Sequence, residues 1–491
     1  MRLLAVTLLA ALALPAQAQD GEVITKQYDD GSVYEGTFKD GRQHGTGTYR
    51  LPSGFEYTGD WVDGAITGQG TARYPNGSVY EGTFENGQPD GTGKITSPDG
   101  RTYEGDWFEG QMTGEGVATY ANGSVYEGSF VKGTHNGKGK LTNPSGYTYE
   151  GDWVMGVKEG RGKITYPDGT VYEGTLVKGQ RSGNGRLTMP DGLVYQGNWA
   201  DGQINGKGIL TQPNGDVYEG EFKDGLRAGQ GKLTHKNGDI YFGAWAKDRR
   251  QGQGSFTTTD GFKYEGAWVA GKMEGTGSIT YPDGSVYIGA MKDDQPNGQG
   301  AITYPDGSTY QGNWVAGVIE GQGRATYKDG RVYEGAFKAA RPQGTGVMTY
   351  PDGYRYEGDW VDGQREGVGA AVYPDGSLYK GTFKAGLRNG EGEFSTTEGF
   401  KYVGQWVAGQ IEGQGVATYS GGDVYQGMFK AGKREGQGKL TYASGEVAEG
   451  IWQNGVLTAP PEAPAEPAPA EGEAPAAPVE GEVPAEPAAN P

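Results

Sequence analysis

The chain has 491 residues, 94 of them glycine, is only 34% hydrophobic, and carries a net charge of −19. Glycine at that level beside 32 Tyr, 14 Phe and 10 Trp excludes one large close-packed core, and it also excludes a disordered polymer, which would lack aromatics. The acidity leaves no basic patch for nucleic acid and disfavours attraction to anionic lipid; the absence of cysteine excludes disulfides, thiolate metal sites, thiol catalysis and a lipoprotein anchor.

Residues 1–18 read as a cleaved export signal. Arg2 gives a positive start, Leu3 to Leu14 are apolar except for Thr7, and Pro15 precedes Ala16-Gln17-Ala18, a small-residue cleavage pattern. The run is too short to cross a bilayer. The expected mature start is Gln19 and the expected location periplasmic or secreted. Residues 19–33 form an N-terminal half-repeat, because Val23 to Gly31 match the second half of the unit that follows.

That unit is 23 residues long and fills 34–458. Tyr-x-Gly recurs 18 times without insertion or deletion, from Tyr34-Glu35-Gly36 to Tyr425-Gln426-Gly427. With the tyrosine as position zero, glycine is fixed at +2, an aromatic usually stands at +4, glycine is frequent at +7, and Gly-x-Gly falls at +11 and +13. Pro-Asp-Gly or a similar turn fills +18 to +20, and Tyr28 stands at +17 of the half-repeat. Residues +13 to +17 alternate as a strand does. Proline then presets φ, aspartate suits the turn and glycine accepts positive φ, so each unit is a β-hairpin. Positions 0, +2 and +4 lie on one strand face; −1, +1 and +3 lie on the other. A nineteenth unit keeps the phase with Ala448 at zero.

The +4 position alternates between Phe38, Phe84, Phe130, Leu176, Phe222 and a tryptophan class. All ten tryptophans stand there: Trp61, Trp107, Trp153, Trp199, Trp245, Trp268, Trp314, Trp360, Trp406 and Trp452. The alternation slips where Trp245 is followed one repeat later by Trp268. Nearby, Asp248 and Asp294 replace the +7 glycine and Met291 the +4 aromatic; the slip reads either as one hairpin lost or gained during duplication or as a bend or self-association point around 241–300. Residues 459–491, with ten prolines, seven glutamates and no basic residue, read as a disordered acidic tail.

The pattern Tyr-Glu-Gly-x-Trp/Phe-x-x-Gly-x-x-x-Gly-x-Gly over residues 34–455 resembles the MORN (membrane occupation and recognition nexus) repeat, here in an exported bacterial member. The resemblance implies a one-layer sheet of antiparallel hairpins and roles in scaffolding or membrane-associated complexes. The expected fold is therefore all-β: an elongated single-layer antiparallel sheet of about 19 stacked hairpins, spanning roughly 180 Å at ~4.8 Å per strand, followed by the disordered tail.

No motif carries catalysis. His44, His135 and His235 share no repeat position and no metal-ligand spacing; the Gly-x-Gly sites lack a following helix and a Walker lysine. The carboxylates follow the repeat, and those at +1 are expected to form an acidic row opposite the aromatics. No catalytic, cofactor-binding or metal residue is expected. The ten tryptophans are either the thin core or an open binding face. The expected function is non-enzymatic scaffolding of protein partners along an aromatic-lined surface; alternatives are a cell-wall glycan stacked on the rings, weak membrane association, and a homo-oligomer.

Overall fold

The computed structural model describes residues 21–458. The expected export signal and the acidic tail lie outside the described residues. Among those described, all 39 regular elements are strands. The chain divides into two compact units at residues 239–248, within the stretch where the alternation slips, and both are built in the same way.

The unit around Tyr149 illustrates the rule. Its first strand, Thr148–Val154, has seven residues and its second, Val157–Thr165, has nine. A two-residue loop joins them, Met155 and Gly156, with φ of 47° and 81°. Both residues are left-handed, which gives the turn a twist matching that of the strands. The frequent glycine at +7 is the second residue of this turn, which is not evident when +7 is read alone. The Pro167-Asp168-Gly169 turn closes as expected: the Gly169 amide donates to the Tyr166 carbonyl (2.9 Å), the Thr170 amide to Asp168 Oδ1 (2.9 Å), and Gly169 has φ 87°.

The two extra residues of the longer strand are a bulge. Trp153 pairs with Lys158 and Gly151 with Gly162, so residues 159–161 all face Asp152. Two extra residues preserve the alternation of faces, and Gly160 takes φ 77° at the centre of the bulge. Asp152 Oδ2 accepts the Arg161 amide (3.0 Å) that the bulge would otherwise orphan. Successive units are tied at the tight turns: the Gly179 amide donates to the Lys158 carbonyl (2.9 Å), and the Lys178 amide donates to Glu159 (2.8 Å).

Glycines +2 and +13 pair across successive strands of the complete repeats, as in Gly151↔Gly162 and Gly162↔Gly174. The tyrosine ring lies flat over this ladder. A Cβ on Gly162 would stand 2.3 Å from the Tyr149 ring. The Tyr149 hydroxyl donates to the Asp152 carbonyl (2.7 Å), and Trp153 Nε1 to the Gly139 carbonyl of the preceding repeat (3.2 Å). Where both +4 neighbours are aromatic, a tyrosine touches two of their rings edge-on: Tyr80 is 5.0 Å from Phe84 and 5.0 Å from Trp107. Such contacts add about 0.5–1.5 kcal/mol each beyond burial, and they form the core of a sheet that has no second layer of secondary structure among the described residues.

The repeats expected to be weak keep this geometry. Asp248 and Asp294 adopt φ 65° and 68° in place of glycine. Asp248 Oδ1 accepts the Arg227 amide (2.9 Å) and Asp294 Oδ1 the Met273 amide (2.7 Å), an inter-repeat bond glycine cannot offer. Met291 is buried at +4, as is Leu176. Ala340 is a third +7 substitution, at φ 62°.

Candidate binding groove

All ten tryptophans are inside. Their exposure runs from 1% at Trp406 to 7% at Trp107, and most of the position-zero tyrosines are at 0%. The surface available to partners is therefore not lined by these rings, and the aromatic-lined surface expected from the sequence is corrected to an aromatic core. The physical reason is the glycine ladder: without Cβ atoms at +2 and +13, each ring settles onto backbone and under its neighbours. Burial pushes the tyrosine hydroxyls up, Tyr126 to about 12, so they stay protonated as donors.

A row at +9 joins this face, and the sequence reading missed it. Arg181 and Arg227 stack over the next tryptophan, Trp199 and Trp245, at 4.3 Å; Arg388 and Arg434 do so over Trp406 and Trp452 at 4.4 Å. Arg388 and Arg434 each donate Nη2 to a carbonyl in the next tight turn, Gly409 and Gly455 (3.0 and 2.8 Å). These guanidiniums clamp one repeat to the next. Lys158 also occupies +9 but stands over rings of its own hairpin, 4.5 Å from Tyr147 and 5.1 Å from Tyr149, and desolvation lowers its pKa. His135 occupies +9 as well, stacked on Tyr126 at 3.6 Å and paired with the Tyr120 hydroxyl. Desolvation holds its pKa down at about 4, so at neutral pH it is an uncharged packing group.

The opposite face is charged over residues 127–186 and elsewhere also exposes apolar side chains, Phe242, Ile288, Val368 and Val403 among them. Here register overturns the expected acidic row. Position +1 pairs on both sides with +14, which is Lys or Arg in seven of the 18 complete repeats. In the first unit the order across the strands is Glu127↔Lys140, Lys140↔Glu150, Glu150↔Lys163, Lys163↔Glu173 and Glu173↔Arg186. Lys163 sits 3.0 Å from Glu173 and Lys94 3.2 Å from Glu104. Carboxylates that look like one acidic stripe when only +1 is read are interleaved with cations. One row over, Lys138 pairs with Asp152, and that ion pair is the first cause of the lowered Asp152 pKa.

This ladder lines a groove of about 1260 Å³ in the first unit, floored by Gly128, Gly139, Gly151, Gly162 and Gly174 and walled by Glu127, Lys138, Lys140, Glu150, Arg161 and Lys163. The second unit has a groove of about 950 Å³ on the same face, with Arg324, Glu334 and Glu357 but also Val347 and Val368. Both are open; the first is charged along its length, whereas in the second Val347 and Val368 stand at the +14 and +12 positions that Lys163 and Arg161 fill in the first. No cluster of three or more His, Asp or Glu suited to a metal occurs among the described residues.

A sheet of identical hairpins with a ring-packed face and a charged face defines a repeat protein of the stacked-hairpin class. The MORN repeat model matches 18 segments, from residues 34–55 to 425–447, and the chain belongs to the MORN-repeat family. No curated protein matches it. Among solved structures it is similar to the TCP10 domain of Danio rerio CPAP in complex with a peptide of Danio rerio STIL (18% identity, 56% of this chain and 94% of that one, TM-score 0.17). It is also similar to the SAS-4 (dCPAP) TCP domain of Drosophila melanogaster in complex with a proline-rich motif of Ana2 (16%, 44% and 99%, TM-score 0.19), and to virginiamycin B lyase of Staphylococcus aureus (10%, 65% and 96%, TM-score 0.10).

Proposed function

We propose that this MORN-repeat chain is an exported, non-enzymatic scaffold that binds extended protein segments along its polar face. The observation that carries the reading is the Glu–Lys ladder over a glycine floor. Across residues 127–186 it repeats a mixed-charge site every two strands, which suits a long or multivalent partner better than a compact ligand. The periodicity also argues against catalysis, which needs one irregular constellation. The alternating charge favours a partner segment that is itself of mixed charge, and it offers no cationic patch to an anionic bilayer. A cell-wall glycan would meet the same groove, without ring faces of the ten tryptophans to stack upon.

The test is crosslinking with mass spectrometry in the native cell, followed by charge reversal. Lys140→Glu with Lys163→Glu should weaken the recovered partner's binding at least tenfold at low salt and leave the fold intact. Unchanged affinity of the doubly reversed protein, or a partner crosslinked only outside the groove, would count against the reading. Purified envelope polysaccharide and vesicles serve as competing ligands.

A further inference from the structure

We infer that the two ends of the array are the separated halves of one repeat, and that a second copy of the chain completes it head to tail.

At the start, the first strand, Ile24–Gln27, corresponds to +13 to +16 of a repeat. It pairs with Val33–Gly36 on one side, and no strand lies on its other edge among the described residues. At the end, Val447–Gln453 is a −1 to +5 strand. Its hairpin partner is cut to Val456–Leu457, which pairs only with Gln453 and Trp452. In complete repeats the −1 to +2 residues pair with +16 to +13, as Val424↔Thr441, Tyr425↔Leu440, Gln426↔Lys439 and Gly427↔Gly438. The last repeat lacks the +13 to +16 segment, and the N-terminal edge presents that segment alone. Continuing the sheet sets Val447 opposite Gln27, Ala448 opposite Lys26, Glu449 opposite Thr25 and Gly450 opposite Ile24.

The side chains at this joint depart from the repeat in complementary ways. Position zero is tyrosine in 18 repeats and alanine only at Ala448; +13 is glycine in all 18 complete repeats and isoleucine only at Ile24. Within a repeat these two positions share one volume: a Cβ at Gly47 would stand 2.4–2.5 Å from the Tyr34 ring. The missing ring at Ala448 leaves the space that the extra side chain of Ile24 needs. Position +15 is apolar in every complete repeat and charged only at Lys26. Positions −2 and +17 touch across a repeat, as Phe400 and Tyr419 do at 5.6 Å, so Glu446 at −2 would oppose Tyr28 and stand diagonally across from Lys26, within reach of long side chains.

A lysine on an edge strand usually guards against pairing. Here the one edge that carries an acid at the diagonal position and an alanine opposite is the chain's own far end, so the lysine selects a partner. In the sequence, +13 and +16 of the last repeat are Pro461 and Pro464, which lack ladder donors. A head-to-tail contact of this kind is heterologous and can repeat from copy to copy.

The full chain contains no cysteine, which permits a direct test. Chains carrying Thr25→Cys and Glu449→Cys are mixed and oxidised: disulfide dimers are expected from the mixture and not from either variant alone. Equal yields from like-labelled chains, or none from the mixture, would overturn the proposal. In sedimentation velocity the unmodified chain should associate with rising concentration. Ala448→Tyr and Ile24→Gly should each raise the dissociation constant about tenfold, the first by clash and the second by a void. The double variant restores the consensus Tyr–Gly pair and should return to near the original value. A chain monomeric throughout the micromolar range, or a double variant no better than its parents, would refute it.

Discussion

The glycines at +13 and +7 of each repeat are there for different reasons, and substitution separates them. Gly162 at +13 has ordinary φ, and its role is space: Gly162→Ala drives a methyl to 2.3 Å from the Tyr149 ring. A cost of about 1–3 kcal/mol or more is expected, largely relieved in a Tyr149→Ala background; a double-mutant cycle in urea checks the coupling. Gly179 at +7 has open space around it and φ 80°. Gly179→Ala should cost about 1–2 kcal/mol from backbone strain alone, as Ala340 already bears. Trp199 is 4% exposed, donates to the Gly185 carbonyl (3.3 Å) and lies under Arg181. Trp199→Ala should lose about 3–5 kcal/mol locally, read as faster amide exchange in neighbouring strands. His135 gives a pH signature. Its folded pKa of about 4 lies below the usual 6.5, so the unfolded chain binds the extra proton between those values. Stability is then full above pH 6.5 and falls as pH drops toward 4. His135→Met, the residue at +9 in the preceding repeat, should flatten that part of the stability profile.

At the scale of the hairpin, the strands, the Pro-Asp-Gly turn and the shared face of 0, +2 and +4 are legible in the sequence, because turn chemistry and a period of two write them directly. The tight turn at +6 and +7 is equally written, in Asp63-Gly64, Asn86-Gly87 and Asp201-Gly202, and is lost only if +7 is read alone. The bulge is harder. Its +11 glycine looks like one more Gly-x-Gly residue, and only pairing reveals that +10 to +12 stand against a single +3 residue. Without the bulge, +9 has no assigned face, which is why the arginines over the tryptophans were missed. The charge ladder fails for the same reason: Glu127 and Lys140 are 13 residues apart and become neighbours only through register. Asp152 at +3 turns out to cap the bulge, so Asp152→Ala should expose the Arg161 amide and cost about 1 kcal/mol, measurable as lost protection of that amide.

For the whole molecule the repeat length is a constraint on register, and a deletion pair tests it. Removing residues 126–148 takes out one 23-residue unit and joins Val125 to Tyr149 in phase. Two tryptophan-class repeats then follow one another, as the repeats of Trp245 and Trp268 already do with both rings buried. Tyr103 would gain Trp153 as its next +4 ring, in the way Tyr241 meets Trp268 at 5.2 Å. Because each unit leans chiefly on its neighbours, the shortened chain should fold with buried tryptophan fluorescence and a slightly smaller urea m-value, in proportion to the surface lost. Removing only residues 127–148 leaves Tyr126 followed by Tyr149. Every later side chain in that strand then moves to the opposite face, putting Glu150 where the ladder needs glycine and Trp153 among the charges. That variant should lose amide protection across the junction and expose Trp153. Equal behaviour of the two deletions would mean that neighbour packing, and not the 23-residue register, holds the array together.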